Sequence, residues 1–210
     1  MVYSGLVGKR EQTRAFIIEK TAPIFNRRGF IGTSLSDITQ ATGLTKGSIY
    51  GNFADKDEVA LKAFGFMSTK RRRGLVSEMS PHRESPLAML RAYASYFRGS
   101  YEVIREFGGC PIVNTAVDAD DTNPTLSAAV RKVVEDWRTA MQDLIRRGVS
   151  LGEIKPETDP EERASLLISL LEGGLWLSKA TGRREDLMRS LDHFERLLDE
   201  MAIVSELRQD

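Results

Sequence analysis

The stretch from Phe30 to Lys56 reads FIGTSLSDITQATGLTKGSIYGNFADK, and it holds the residues whose types and spacing point most directly to a chemistry. From Lys46 to Asn52 it offers a lysine, two glycines, a serine, a tyrosine and an asparagine, with Ile49 the one plainly apolar member and Phe53 just beyond. A helix this small and polar does not fill a core. Small side chains let its N-terminus come close to a large partner, and the free N–H groups there suit phosphate oxygens. The partner such a surface fits is a nucleic-acid duplex.

Three local signals position that segment. Ser34 can cap one short helix, with Asp37 placing negative charge in its first turn. Gly43 permits a tight turn, and Thr45 caps the next helix. Ile38 and Leu44 are spaced to pack the two together, so the stretch reads as a helix-turn-helix whose second helix enters a major groove.

Around this motif the whole chain carries helical periodicity and almost no strand signal. A first helix spans Glu11–Arg28, closed by Gly29, with a bend expected at Pro23. Asp55 caps a long fourth helix. Pro81 and Pro86 bracket a loop, and further helices are expected at Pro86–Phe107, Ile112–Ala119, Pro124–Gly148, Pro160–Thr181 and Arg184–Val204. The expectation is an all-α fold of about nine helices. It comprises an N-terminal three-helix head over residues 1–54, a connecting helix over 55–79 and a helical body over 80–210.

The charge distribution separates the same parts. The chain of 210 residues has a formal net charge of zero, yet residues 1–73 hold thirteen Lys/Arg against six Asp/Glu, and the remainder is acidic by the same margin. A basic head on an acidic body fits a polyanion-binding module joined to something with another task. Lys9, Arg10 and Arg14 are placed to reach a backbone from the first helix, whereas the run Lys70–Arg73 reads as a solvated face. Met1–Gly8 is too short and polar for a signal peptide, no stretch is long enough to cross a bilayer, and one cysteine forms no internal disulfide. Together these point to the cytoplasm. His82 and His193 lie too far apart for a structural zinc site. Asp118, Asp120 and Asp121 read as acidic residues ahead of a helix, so neither metal nor cofactor is expected.

Phe25, Gly29–Phe30, Thr33–Ser34, Ile38, Ala41, Gly43, Tyr50, Phe53 and Lys56 resemble the DNA-binding signature of the TetR family of bacterial regulators. The stretch Gly108–Pro124, Trp137 and Leu171–Gly174 are similar to one C-terminal type in that family. The resemblance implies that Thr33 and Ser34 touch phosphates, and that Thr45, Lys46, Gly47 and Ser48 lie against the groove. It implies further that Tyr50 meets phosphate or a thymine methyl and that Lys56 holds phosphate from the fourth helix. Gly51 and Asn52 depart from the bulky aromatic and histidine common there; Asn52 can still bond a phosphate or an adenine edge.

Such heads work in pairs on palindromic operators. The helix over 160–181 carries two apolar stripes, and that over 184–204 a narrow seam of Leu187, Leu191, Phe194, Leu198 and Met201. Both are therefore expected in a homodimer interface, with Gly173 and Gly174 permitting close approach. Aromatic residues on adjacent helices suggest an apolar pocket for a small-molecule effector of unknown identity, with Tyr101, Trp137 and Met141 as its candidates. The function this implies is ligand-released repression. Its alternative is a thiol sensor of electrophiles or oxidants at Cys110, which sits in a Gly-Gly-Cys-Pro turn before a helix. An enzyme is not expected: no nucleophile–histidine set has an obvious shape, and GLTKGS lacks the spacing of a phosphate-binding loop. A purely architectural DNA-binding protein would leave the long body without a task.

Overall fold

The computed structural model of the chain describes Gly8–Ile203. Among those residues it has nine α-helices and no strand, as the periodicity predicts. They are α1 (Lys9–Arg28), α2 (Leu35–Thr42), α3 (Lys46–Asn52), α4 (Lys56–Met79), α5 (Pro86–Phe107), α6 (Pro111–Ala119), α7 (Pro124–Ser150), α8 (Pro160–Thr181) and α9 (Arg184–Met201). A 3-10 turn at Ser80–His82 takes part of the expected loop. Val204, expected at the end of the last helix, lies outside the described residues.

The helix boundaries follow capping chemistry. Ser34 accepts from Asp37 N–H while the Asp37 carboxylate accepts from Ser34 N–H, which closes a capping box at the start of α2. Gly43 ends that helix in the left-handed region at φ 68°. Thr45 accepts from Ser48 N–H to open α3, and Asp55 accepts from Glu58 N–H at the head of α4. α1 runs on through Pro23, where a bend was expected; Ile17, Thr21, Ala22 and Phe25 anchor both sides of it in the interior.

The chain packs as two compact units that cut across its linear order. One takes residues through Lys70 together with Pro111–Arg131; the other takes Arg71–Cys110 and everything from Lys132. The first unit therefore contains α6, which the linear division into head and body leaves in the body. Asn114 on α6 donates to Asn26 of α1 at 3.0 Å, and Asn123 donates to Asp57 of α4 at 3.3 Å. Ile17, Ile38, Ile49, Phe53, Val59, Ala63, Phe64 and Met67 make the core of this unit.

In the second unit α9 packs along α8 and against α5. Leu187, Leu191, Phe194, Leu198 and Met201 are all buried in that packing. The seam expected to face a second protomer is thus the chain's own core, and the outward face of α9 is polar, with Arg189, Asp192, His193 and Arg196. Gly174 is buried too: a Cβ there would lie 2.6 Å from the Ser190 Cβ, so its missing side chain serves the α8–α9 approach within one chain. Ser190 Oγ completes that approach by donating to Leu170 O at 2.6 Å. On α8 an apolar outer line remains, Leu166 and Leu177 with Gly173 between them and Trp176 beside, all exposed.

Candidate nucleic-acid interface

In the first unit, Ile49 and Phe53 alone fix α3 to its neighbours through the interior, and the rest of the helix faces outward. Thr45, Lys46, Gly47 and Tyr50 are exposed, Ser48 half-buried. Lys46 Nζ lies 6.0 Å from the centre of the Tyr50 ring, so both polar ends share one surface. Asn52 is half-buried, its amide donating back to Ser48 O at 2.9 Å. Ser34 is exposed at the start of α2. Ser34 and Thr45 are thus exposed at the starts of consecutive helices, with Lys46 and Tyr50 beside each other on the second.

Gly47 and Gly51 carry a further signal. Neither has a positive φ, and a Cβ at Gly51 would meet nothing within 4 Å. At Gly47 the nearest atom is Thr45 Oγ1, at 4.0 Å. Glycine inside a helix costs about 1 kcal/mol relative to alanine. Neither packing nor backbone conformation within the described residues requires glycine at these two positions.

Two residues expected at phosphate are turned inward. Thr33 is fully buried and donates to Gly29 O at 2.6 Å. Lys56 Nζ donates to Phe30 O at 2.8 Å and to Thr33 O at 3.1 Å, over the face of the Phe30 ring. The turn between α1 and α2 consumes both, because its carbonyls have no helical partner. Arg14, expected to reach outward, is also committed within the unit. Its guanidinium donates to the Asn52 carbonyl, pairs with Glu58 at 2.5 Å and covers the Phe53 ring. The Arg14 hydrogen bond, with the Ala54 N–H, holds the Glu58 carboxyl below its ordinary range.

Sequence reasoning missed Asp118. Its carboxylate accepts from Phe30 N–H, and a side chain at Gly29 (φ 74°) would run into it. One residue of the α1–α2 turn, Phe30, is therefore gripped by an anion at its N–H and by the Lys56 cation at its C=O. The acidic run Asp118–Asp121 was visible, but its partner is a backbone group 88 residues away, which no spacing rule reaches.

The second unit holds the candidates for sensing. Tyr101 and Met141 are buried and Trp137 half-buried. Trp137 stacks with Tyr93 at 6.5 Å between ring centres. Tyr101 is engaged elsewhere, with the Arg184 guanidinium 5.6 Å over its ring. The Trp137 group includes an ion pair that the sequence did not suggest. Arg71, read as part of a solvated run, lies 4.2 Å over the Trp137 ring and pairs with Glu172 at 3.1 Å, each side chain only 13% exposed. Cys110, itself buried, donates its S–H to the same Glu172 oxygen at 3.2 Å. Burial pushes the Tyr93 hydroxyl up, against the opposing pull of the Trp137 N–H and the Arg71 charge.

Residues 17–63 match the model of the tetR family of bacterial regulatory proteins, and residues 86–194 that of the tetracyclin repressor-like C-terminal domain. The chain belongs to the TetR family. It is a transcriptional regulator with a DNA-binding helix-turn-helix, not an enzyme. A TetR-family regulator from Cytophaga hutchinsonii has a similar structure, with a TM-score of 0.89 and 35% identity over 94% of this chain and 98% of that one. One from Chloroflexus aurantiacus gives 0.87 and 35% over 92% and 98%. Among characterised relatives, the HTH-type transcriptional repressor DhaR of a Mycobacterium species is 27% identical over 90% of this chain and 94% of its own length. No helix among the described residues is long and apolar enough to cross a membrane.

Proposed function

We propose that this TetR-family regulator is a repressor that binds a palindromic operator as a homodimer and leaves it when a small molecule enters the second unit. The observation that carries the reading is the outer face of α3, where Lys46, Tyr50 and two glycines with no internal reason to be glycine stand together. Ser34, Thr45, Ser48 and Asn52 supply phosphate or base contacts around them. Thr33 and Lys56 serve the same contact indirectly, by fixing the turn from which α2 starts.

Dimerisation in this reading runs through the exposed line Leu166, Gly173, Trp176 and Leu177 of α8, with the polar outer face of α9 at its margin. Repression is the activity that DhaR carries in its name, and the buried aromatic and charged core of the second unit supports a sensing role. Thiol sensing at Cys110 has one point in its favour, the Arg71–Glu172 pair beside the sulfur. Against it stand a 5% exposure and a carboxylate acceptor that the protonated thiol already satisfies. Release of DNA by N-ethylmaleimide from wild type but not from Cys110→Ser would favour that reading.

The test is selection of bound duplexes from a random pool, followed by titration at several salt concentrations. An inverted repeat is expected to emerge, and Lys46→Ala should weaken binding to it and lower the salt slope by about 1. Failure to enrich any sequence, or full binding by Lys46→Ala with an unchanged slope, contradicts the reading.

A further inference from the structure

Five buried side-chain polar atoms among the described residues make no hydrogen bond: Ser68 Oγ, Arg71 Nε, Trp137 Nε1, Arg138 Nε and Glu172 Oε2. Three of the five belong to one cluster of the second unit, in which Arg71 pairs with Glu172 and lies over the Trp137 ring. Leaving a buried donor or acceptor unpaired is costly, and native chains tolerate it where something else fills the gap.

The geometry of the ion pair shows what is missing. Arginine and a carboxylate usually meet side by side, through two parallel hydrogen bonds. Here Arg71 reaches Glu172 through Nη2 alone, and Glu172 receives both Arg71 and the Cys110 thiol on Oε1. One donor, Arg71 Nε, and one acceptor, Glu172 Oε2, are left over on the two halves of the same pair. Trp137 Nε1 faces the Tyr93 hydroxyl but outside hydrogen-bond geometry. The neighbouring side chains are flat and aromatic: the Trp137 ring 4.2 Å and the Phe97 ring 5.3 Å from the guanidinium carbon, with Tyr93 stacked on Trp137.

A hydroxyl matches both unpartnered groups in kind, able to accept from Arg71 Nε and to donate to Glu172 Oε2. The charges of the pair cancel, so a net charge on the guest is disfavoured. A carboxylate would compete with Glu172 for Arg71 and strand it, and an ammonium would face the guanidinium. We propose that this cluster is an effector site and that its ligand class is the neutral hydroxyl-bearing aromatic, with the ring against Trp137 and Phe97 and the hydroxyl between Arg71 and Glu172. This rests on the sensing role proposed above for the second unit.

The experiment uses the full-length protein and three probes of matched shape: 4-ethylphenol, 4-ethylanisole and 4-ethylbenzoate. Binding is followed by calorimetry without DNA, and release of the selected duplex is measured separately. Saturable 1:1 binding of the phenol is expected, with the ether weaker by about tenfold or more, because it cannot donate to Glu172. The benzoate should not compete. A double variant, Arg71→Met with Glu172→Leu, replaces the pair by apolar groups, which buried ion pairs tolerate. It should stay folded, bind phenol and ether alike, and so erase the discrimination.

Equal binding of phenol and ether by wild type overturns the proposal. So does absence of saturable phenol binding up to its solubility, the result if ordered water alone fills the gap. Discrimination that survives in the double variant overturns it as well. If the phenol binds as described but the duplex stays bound, the site stands and phenol-driven release fails. If another molecule releases DNA while the phenol does not bind, the sensing role stands and this site fails.

Discussion

The candidate interface of the first unit and the Trp137 cluster of the second use their half-buried and buried charges differently. In the first, charged side chains are spent largely on the backbone. Lys56 holds the carbonyls of Phe30 and Thr33, Asp118 the N–H of Phe30, Arg14 the carbonyl of Asn52 and Asp37 the N–H of Ser34. In the second, Arg71 and Glu172 are spent on each other through a single contact, and an atom of each is left over. Charges tied to backbone fix the angles between short helices, which a surface that must match a duplex requires. Charges tied to each other through one contact leave two buried polar atoms of the pair without a partner, which is what the proposed ligand would supply.

Substitutions at the charged contacts of each unit test this difference. Glu172→Ala should have the largest effect, because it leaves the Arg71 cation buried without its partner; a loss of about 3 kcal/mol is expected in chemical denaturation. A loss below about 1 kcal/mol would mean that water already reaches the pair. Asp118→Ala strands the half-buried N–H of Phe30 and should cost about 1–2 kcal/mol. It should also weaken duplex binding without changing the salt slope, since Asp118 touches no phosphate; a changed slope would place it at the interface instead. Arg14→Ala should behave alike, at about 1–2 kcal/mol, through the lost hold on Asn52 and Glu58.

The smallest effect concerns pH. The Asp37 carboxyl is held below its ordinary value, first by the hydrogen bonds from the Ser34 side chain and N–H, then by Arg28. Glu58 is held low by Arg14. Both titrate lower in the folded chain than in the unfolded one. Their stabilisation is therefore complete above the ordinary carboxylate range and is lost as pH falls through the lowered values. Melting followed from neutral pH to about pH 3 should show a steeper acid decline in wild type than in Asp37→Asn. Identical profiles would remove Asp37 from the account.

Local signals carried the sequence reading a long way. Ser34, Gly43, Thr45 and Asp55 announce their caps because a cap is a contact over three or four residues, and α5 to α8 begin at prolines for the same kind of reason. Contacts between distant segments were not legible. Arg71 looks like any member of a basic run until Glu172, 101 residues on, closes over it. The Leu187–Met201 seam has the spacing of an interface and the burial of a core; periodicity identifies an apolar face without saying whose surface covers it. Lys56 and Thr33 bond turn carbonyls in the free chain, contacts that the motif alone did not announce, since a phosphate and a turn carbonyl ask for the same donors.

Whether α3 meets a duplex is decided by Gly47→Ala, measured both in thermal melting and in binding to the selected operator. Alanine suits a helix better than glycine by roughly 0.5–1 kcal/mol, and the space at Gly47 is open, so the variant should melt higher. Its operator affinity should fall by tenfold or more, because the added methyl stands where the duplex approaches. A variant that melts higher and binds the operator as tightly as wild type would contradict the account.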